Sequence, residues 1–378
     1  MKRILLALLA VALLSVGAGA YWLRSDTGAV RRPDDAELDE ARASGEASRA
    51  IEAQAEVELP SLQRIKDTTE RARIDEWFKA ADAALAAAGP DERPDLLIVT
   101  AELERARGNI ARAIELSREG AQLMPTNSLA RYAYACALMS KIQAAAGGGG
   151  VGALLGQLGT TKEFIREIKV AVELDPANHE ARCKLIAVKA YAPGFMRDRG
   201  GAAELIEDID EFREEFDRDF WRAQLLISDG AFDAALEAYE AMRAERPGDP
   251  DVVAAIGGIL FKAERYREAA AVYDELVGAG EHVRNYDALY QGAKARELGK
   301  FELPRALELI ELYEAADPVG EVLPTRDRLV YHKGVILAAL GRELLAREAL
   351  EESLEIQPGV SRVKKALAKL DAGQASGR

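Results

Sequence analysis

The sequence predicts an all-α protein, a solenoid of stacked helix-turn-helix repeats closed by a terminal capping helix. Three observations predict it. Between Phe216 and Val283 the chain repeats itself: Phe232, Ala235 and Tyr239 recur 34 residues on as Tyr266, Ala269 and Tyr273, and Ala223 and Leu226 recur as Gly257 and Leu260. Ala, Leu, Glu and Arg dominate, aromatics make up only 6%, and the 13 prolines fall mostly between helix-like stretches, so strands have little support. Near the end, Val363, Leu367 and Leu370 alternate with Lys364, Lys365 and Lys369. That is the pattern of a helix covering the last repeat with one face and meeting water with the other.

A period of 34 with a small residue early, an aromatic near the middle, then Ala and a second aromatic, resembles the tetratricopeptide repeat. The physical content is direct. Ala223/Gly257 and Ala235/Ala269 let two antiparallel helices approach closely, and Tyr239/Tyr273 fill the space against the next unit. One such unit cannot bury its own apolar face and must stack on another. The resemblance extends over about Pro94 to Leu370 and implies a right-handed superhelical solenoid of TPR-like repeats, with a concave groove lined by the first helix of each pair.

Taken in order, residues 1–23 read as a targeting segment. Lys2 and Arg3 precede an apolar run from Ile4, and Ala18-Gly19-Ala20 has the form of a signal-peptidase site. Tyr21, Trp22 and Leu23 lengthen the run to about 20 residues, enough to span a bilayer. Both a cleaved signal and an N-terminal membrane anchor fit, and either makes the protein exported, to the periplasm or cell envelope. Residues 24–60, with ten acidic and five basic side chains and no apolar periodicity, form an acidic, Ala-rich disordered tether. Residues 61–92 carry Ile74, Trp77, Phe78, Ala81 and Leu85 at helical spacing and stop at Gly89-Pro90, an N-terminal helical cap. Residues 93–371 are the array, about six repeats. In it Gly108, Ile110, Ala113 and Pro125 match Gly230, Phe232, Ala235 and Pro247, and Gly341, Ala346 and Pro358 repeat the spacing. Gly299, Phe301 and Ala306 follow it with two extra residues before the alanine. Insertions fall near 146–160 and 193–201, and 372–378 is a tail. The insertions, with the helix end Lys169-Val170-Ala171-Val172-Glu173-Leu174-Asp175-Pro176, resemble an exported bacterial subtype of the family.

No constellation for catalysis, cofactor or metal is legible. The glycine run 147–150 lacks the Gly-Lys pair of a phosphate loop, and Gly150-Val151-Gly152 lacks the third glycine of a dinucleotide fingerprint. The acidic stretch Glu204–Asp219 lacks the turn glycine of a calcium loop. Cys136 and Cys183 sit in apolar helical runs, more in keeping with buried small side chains than with a mutual disulfide. His179, His282 and His332 stand apart from one another and are expected at the surface. A net charge of −14 argues against nucleic acid as partner.

The resemblance places groove residues at positions 2, 5, 9, 12 and 13 of each first helix. Counted from Phe216, Pro250, Asn285 and Asp327, these include Phe220, Gln224, Phe261, Lys262, Tyr286, Arg296, Arg328 and Tyr331. Aromatic and basic groups together suit an extended peptide or an amphipathic helix. The Lys/Asn pattern with which some members of the family hold a terminal carboxylate is missing, because positions 5 and 9 read Phe220/Gln224 and Ala254/Gly258. The expectation is therefore a non-enzymatic scaffold for a protein or peptide partner. The alternative is a small-molecule-binding component of an envelope transport system, with the two insertions closing a pocket.

Overall fold

The computed structural model describes residues 68–148, 158–192, 197–208, 215–279, 283–320 and 323–376, with Pro60 and Ile65. The targeting segment, the tether apart from Pro60, residues 149–157 and 193–196 of the two insertions, and His282 lie outside the described residues. Among those described there are sixteen helices and no strand. They form two compact units that part after Ser228, inside the repeat that begins at Phe216. The first is built on α1 (Arg71–Ala87), α2 (Arg93–Ala106), α3 (Ile110–Leu123), α4 (Ser128–Gly148), α5 (Leu158–Leu174), α6 (His179–Tyr191), α7 (Arg199–Glu207) and α8 (Glu215–Ser228). The second is built on α9 (Phe232–Glu245), α10 (Pro250–Lys262), α11 (Tyr266–Asp274), α12 (Val283–Gly299), α13 (Leu303–Ala316), α14 (Arg326–Ala339), α15 (Glu343–Ile356) and α16 (Ser361–Ser376).

The small residues do what the spacing asks of them. Ala113, Ala269, Ala306 and Ala346, one to each second helix, are wholly buried. A Cβ on Gly257 would stand 2.7 Å from the Tyr273 ring, and one on Gly334 would stand 2.8 Å from Leu350. Helix axes this close leave no room for a side chain between them.

The turn inside each pair is equally regular. The amide of Asn109 bonds to Glu104 O, Arg265 to Leu260 O, Phe301 to Arg296 O and Arg342 to Leu337 O, the long bond of a Schellman motif. The residue before each of these amides is left-handed: Gly108, Glu264, Lys300 and Gly341, with φ of 84, 60, 55 and 74°. Two of the four are not glycine and bear about 1 kcal/mol of strain. Packing of the pair, rather than the local residue, therefore sets the turn. In α12–α13 the left-handed residue is Lys300 rather than Gly299. The two extra residues are absorbed where Glu302 turns left-handed as well and delays α13 to Leu303.

In the first unit, polar bonds pin α4 to α5. Arg131, with no exposed surface, donates to Pro125 O at 3.0 and 2.9 Å and to Glu167 at 2.9 Å, and Arg166 takes the other oxygen of Glu167. Ser128 donates to Ala171 O, and Asn178, which caps α6, donates to Ser128. Cys136 is buried, Cys183 is half-buried against His179, and no disulfide joins them. α1 begins at Arg71 and buries Ile74, Ala81 and Leu85, while Phe78 lies under the guanidinium of Arg107 at 3.8 Å. At the other end, α16 lays Val363 on Leu350 with Leu367 and Leu370 beside it, and Lys364, Lys365 and Lys369 stay exposed.

Candidate functional site

The second unit carries a cluster of charge and aromatic rings on its first helices α10, α12 and α14, completed by Arg362 of α16. Helical geometry assembles it. Tyr290 and Lys294 are four residues apart on α12 and so share a face, and three residues further on comes Glu297. The ammonium of Lys294 lies 4.7 Å from the Phe261 ring of α10 and 5.8 Å from that of Tyr290. His332 of α14 bonds through Nδ1 to Glu297 and meets the edges of Tyr290 and Tyr331, with centroids 5.5 and 5.0 Å apart. Arg362 stacks over Tyr331 at 5.1 Å and reaches Asp327 at 3.2 Å.

Burial perturbs the titrating groups here. It holds the Lys294 amine below the usual lysine range; Arg328 and Arg362 push the same way, while Glu297 and Asp287 oppose. Burial raises the carboxyl of Asp287, against a hydrogen bond from Gln291 and the fields of Arg284 and Lys294. It also raises the Tyr290 phenol.

Two cations in the cluster form no close ion pair among the described residues. Arg328 is half-buried, its Nε is shut off from solvent, and that atom has no hydrogen-bond partner among the described residues. Neither Arg328 nor Lys294 forms an ion pair there, whereas Arg284 pairs with Asp251 at 2.6 Å and Arg362 with Asp327.

The structure distributes the eight residues singled out in the sequence. Phe261, Arg328 and Tyr331 come together in this cluster. Lys262 is exposed at the end of α10, and Tyr286 packs against the apolar core of the second unit. Arg296 does not line a groove: only 3% exposed, it pairs with Asp274 at 2.5 Å and Glu302 at 3.1 Å and donates to Gly292 O. Four residues past Gly292, it sits on the face turned to the second helices. Phe220 and Gln224 belong to the first unit, where Phe220 meets the edge of Trp221 at 6.1 Å and Gln224 accepts from the Tyr191 hydroxyl at 2.7 Å. Sequence reasoning missed Lys294, Tyr290, Asp287 and Arg362, and the i,i+4 spacing of Tyr290 and Lys294 was the available signal. It also placed His332 at the surface, whereas the bond to Glu297 draws its side chain to 13% exposure.

Comparison with known proteins bears on the fold. The tetratricopeptide repeat family profile matches residues 226–297 and, in a second form, 327–359. No curated protein sequence is a significant match. Among solved structures, a tetratricopeptide repeat protein from Parabacteroides merdae is 12% identical, with 80% of this chain and 99% of that one aligned and a TM-score of 0.49. The thermophilic TPR protein TTC0263 of Thermus thermophilus is 16% identical over 59% of this chain and 99% of its own, with a TM-score of 0.41. The human IFIT1 dimer with PPP-AAAA is 14% identical over 79% and 69%, with a TM-score of 0.50. Identities this low speak of fold alone.

Proposed function

We propose that this chain, which matches the tetratricopeptide repeat profile over residues 226–297 and 327–359, acts as a non-enzymatic scaffold, holding a protein or peptide partner on the first-helix face of its second unit. The observation that carries the reading is the open cluster itself. Two half-exposed aromatic rings, Phe261 and Tyr331, stand with Lys294, Arg328 and Arg362 on α10, α12, α14 and α16, with the buried Tyr290 behind them. Rings and guanidinium groups are the side chains that dominate protein interfaces. On the second helices several charges pair locally, as Arg265 does with Glu268 and Arg305 with Glu308.

We place the scaffold in the cell envelope, exported by residues 1–23. Support for this comes from the basic start, the apolar run and the small-residue site in the sequence. Among the described residues no helix is long and apolar enough to cross a membrane.

A photo-crosslinking amino acid placed at Tyr331 and, separately, at Leu344 tests the reading in the source cell. Leu344 is 76% exposed on α15, a second helix. Adducts with other proteins from position 331 and none from 344 are expected; the reverse pattern would overturn the choice of face.

One observation favours the alternative, a small-molecule component of an envelope transport system. The first unit holds an open cleft of about 360 Å³ lined by Met139, Ile142, Phe164, Ile165, Val188 and Tyr191, within the size range of ligand sites. Mass spectrometry of an organic extract of the purified protein tests it. A stoichiometric small molecule would favour this reading over the scaffold, and an empty extract would remove it.

A further inference from the structure

We infer that the last two helices form a self-association surface, on which two copies of this chain meet across a two-fold axis with the acidic stripe of each α15 on the lysine stripe of the other copy's α16. The inference does not rest on the scaffold reading.

Charge here is sorted by helix. On α15, Leu344, Glu348, Glu351 and Glu355 recur every three or four residues, so they share one stripe, and all four are exposed. On α16 the exposed charges of the same kind are Lys364, Lys365 and Lys369. Like charges at such spacings repel within their own helix and weaken it. A face built only to meet water mixes its signs, as α1 does along Arg73, Glu76, Lys79 and Asp82. None of the three glutamates or three lysines forms an ion pair among the described residues, although Glu352 beside them has Arg326 and Arg347 has Asp371. Leu344 adds an apolar anchor: at 76% it is the most exposed large apolar side chain among those residues.

The geometry makes the stripes complementary to a second copy. Arg347, near the start of α15, reaches Asp371, near the end of α16, at 2.5 Å, and Leu350 packs on Val363. The helices therefore lie antiparallel, with Glu348 level with Lys369 and Glu355 level with Lys364 to within about one residue. Both stripes turn away from α14. That helix packs Gly334 on Ala346 and holds Arg362 over Tyr331, and Glu348 and Lys364 each lie two residues on, about 200° round their helices. A two-fold axis parallel to the helices lays α15 of each copy antiparallel over α16 of the other without shifting these levels. Glu348 then meets Lys369 of the second copy and Glu355 meets Lys364 or Lys365, with each contact made twice. The glutamate stripe is about 10 Å long and the lysine stripe about 8 Å, so the two match in length as well as in sign.

The test is charge exchange, read by sedimentation velocity of the full-length protein in non-ionic detergent over a wide range of concentration. The wild type should pass from 41.0 kDa to twice that mass. One variant reverses the acids, Glu348→Lys/Glu351→Lys/Glu355→Lys, and another the bases, Lys364→Glu/Lys365→Glu/Lys369→Glu. All six positions are exposed, and each variant should keep the circular dichroism of the wild type. Alone, each should dimerise at least roughly tenfold more weakly, because every pair it alters becomes repulsive. Mixed in equal amounts, the two should form a heterodimer as tight as the wild-type dimer, since each then offers the sign that the other's stripe needs. A wild type that stays monomeric, a dimer that neither variant weakens, or folded variants that fail to restore each other would overturn the inference. Open polymers in place of a closed dimer would overturn the two-fold axis. A monomer that sediments with phosphatidylglycerol vesicles, while the lysine variant does not, would reassign α16 to a lipid surface. A second readout needs no charge change: the photo-crosslinking residue at position 344 should join two copies of this chain, and its failure to do so would also overturn the inference.

Discussion

Arg131 in the first unit and Arg328 in the second are both guanidinium groups on first helices, and they are treated in opposite ways. Arg131 is sealed in, and its three bonds reach one carbonyl and one carboxylate. Arg328 is half-open, and its inner nitrogen has nothing to bond to. The first arrangement holds helices together. The second leaves one buried nitrogen of a half-buried charge without an acceptor among the described residues. In a repeat fold, where the same helix pair recurs, this difference in satisfaction shows which charges hold helices together better than residue type does.

The largest effect that would sharpen this contrast is at the sealed site. Arg131→Met should cost about 3 kcal/mol or more in urea unfolding followed by circular dichroism, because it strands Glu167 in the interior with Arg166 alone to answer it. A loss under about 1 kcal/mol would mean that the pair is not a structural pin. Replacing both partners, Arg131→Met with Glu167→Leu, should recover most of the loss, since no buried charge then remains.

At the open site the sign reverses. Lys294→Met removes a desolvated ammonium that has no ion-pair partner and should raise the melting temperature by about 2–4 °C at neutral pH. The pH dependence follows from the depressed amine. Below the folded-state value both folded and unfolded chains carry the proton and the full cost is present. Between that value and the ordinary lysine value of 10.5 the unfolded chain binds more protons, so stability rises with pH. The advantage of Lys294→Met should therefore shrink as pH climbs toward 10.5, and a constant difference would refute a desolvation origin. Asp287→Asn should act in the same direction with the opposite titration, its gain present at neutral pH and gone below 3.8, the ordinary aspartate value. The smallest effect is expected at the exposed pair Arg265–Glu268, where Arg265→Gln should change stability by less than about 0.5 kcal/mol.

Much of the fold was legible in the sequence, because close helix packing leaves a mark on residue type. Only Gly fits where Gly257 meets Tyr273, and a small residue recurs at the matching position of other pairs. Val363, Leu367 and Leu370 announced the final helix for the same reason. The site was legible only in part. Arg328 and Tyr331 emerge from position counting, yet the same counting put Arg296 in the groove. The count assumes one rotation for every first helix, whereas Arg296 follows its i,i+4 neighbour Gly292 to the packed face. Nor does sequence show satisfaction. Whether an arginine has found its carboxylate depends on residues as distant as Arg131 and Glu167, or Arg362 and Asp327, brought together by stacking.

The unpaired cations lie in a chain of net charge −14. An acidic ligand approaching it meets a repulsion that decays over a Debye length of about 8 Å at physiological ionic strength; only on arrival does it meet Lys294 and Arg328. Encounter and residence then respond to salt in opposite ways. Added salt should speed association by screening the long-range repulsion, and should shorten the bound lifetime by weakening the contact.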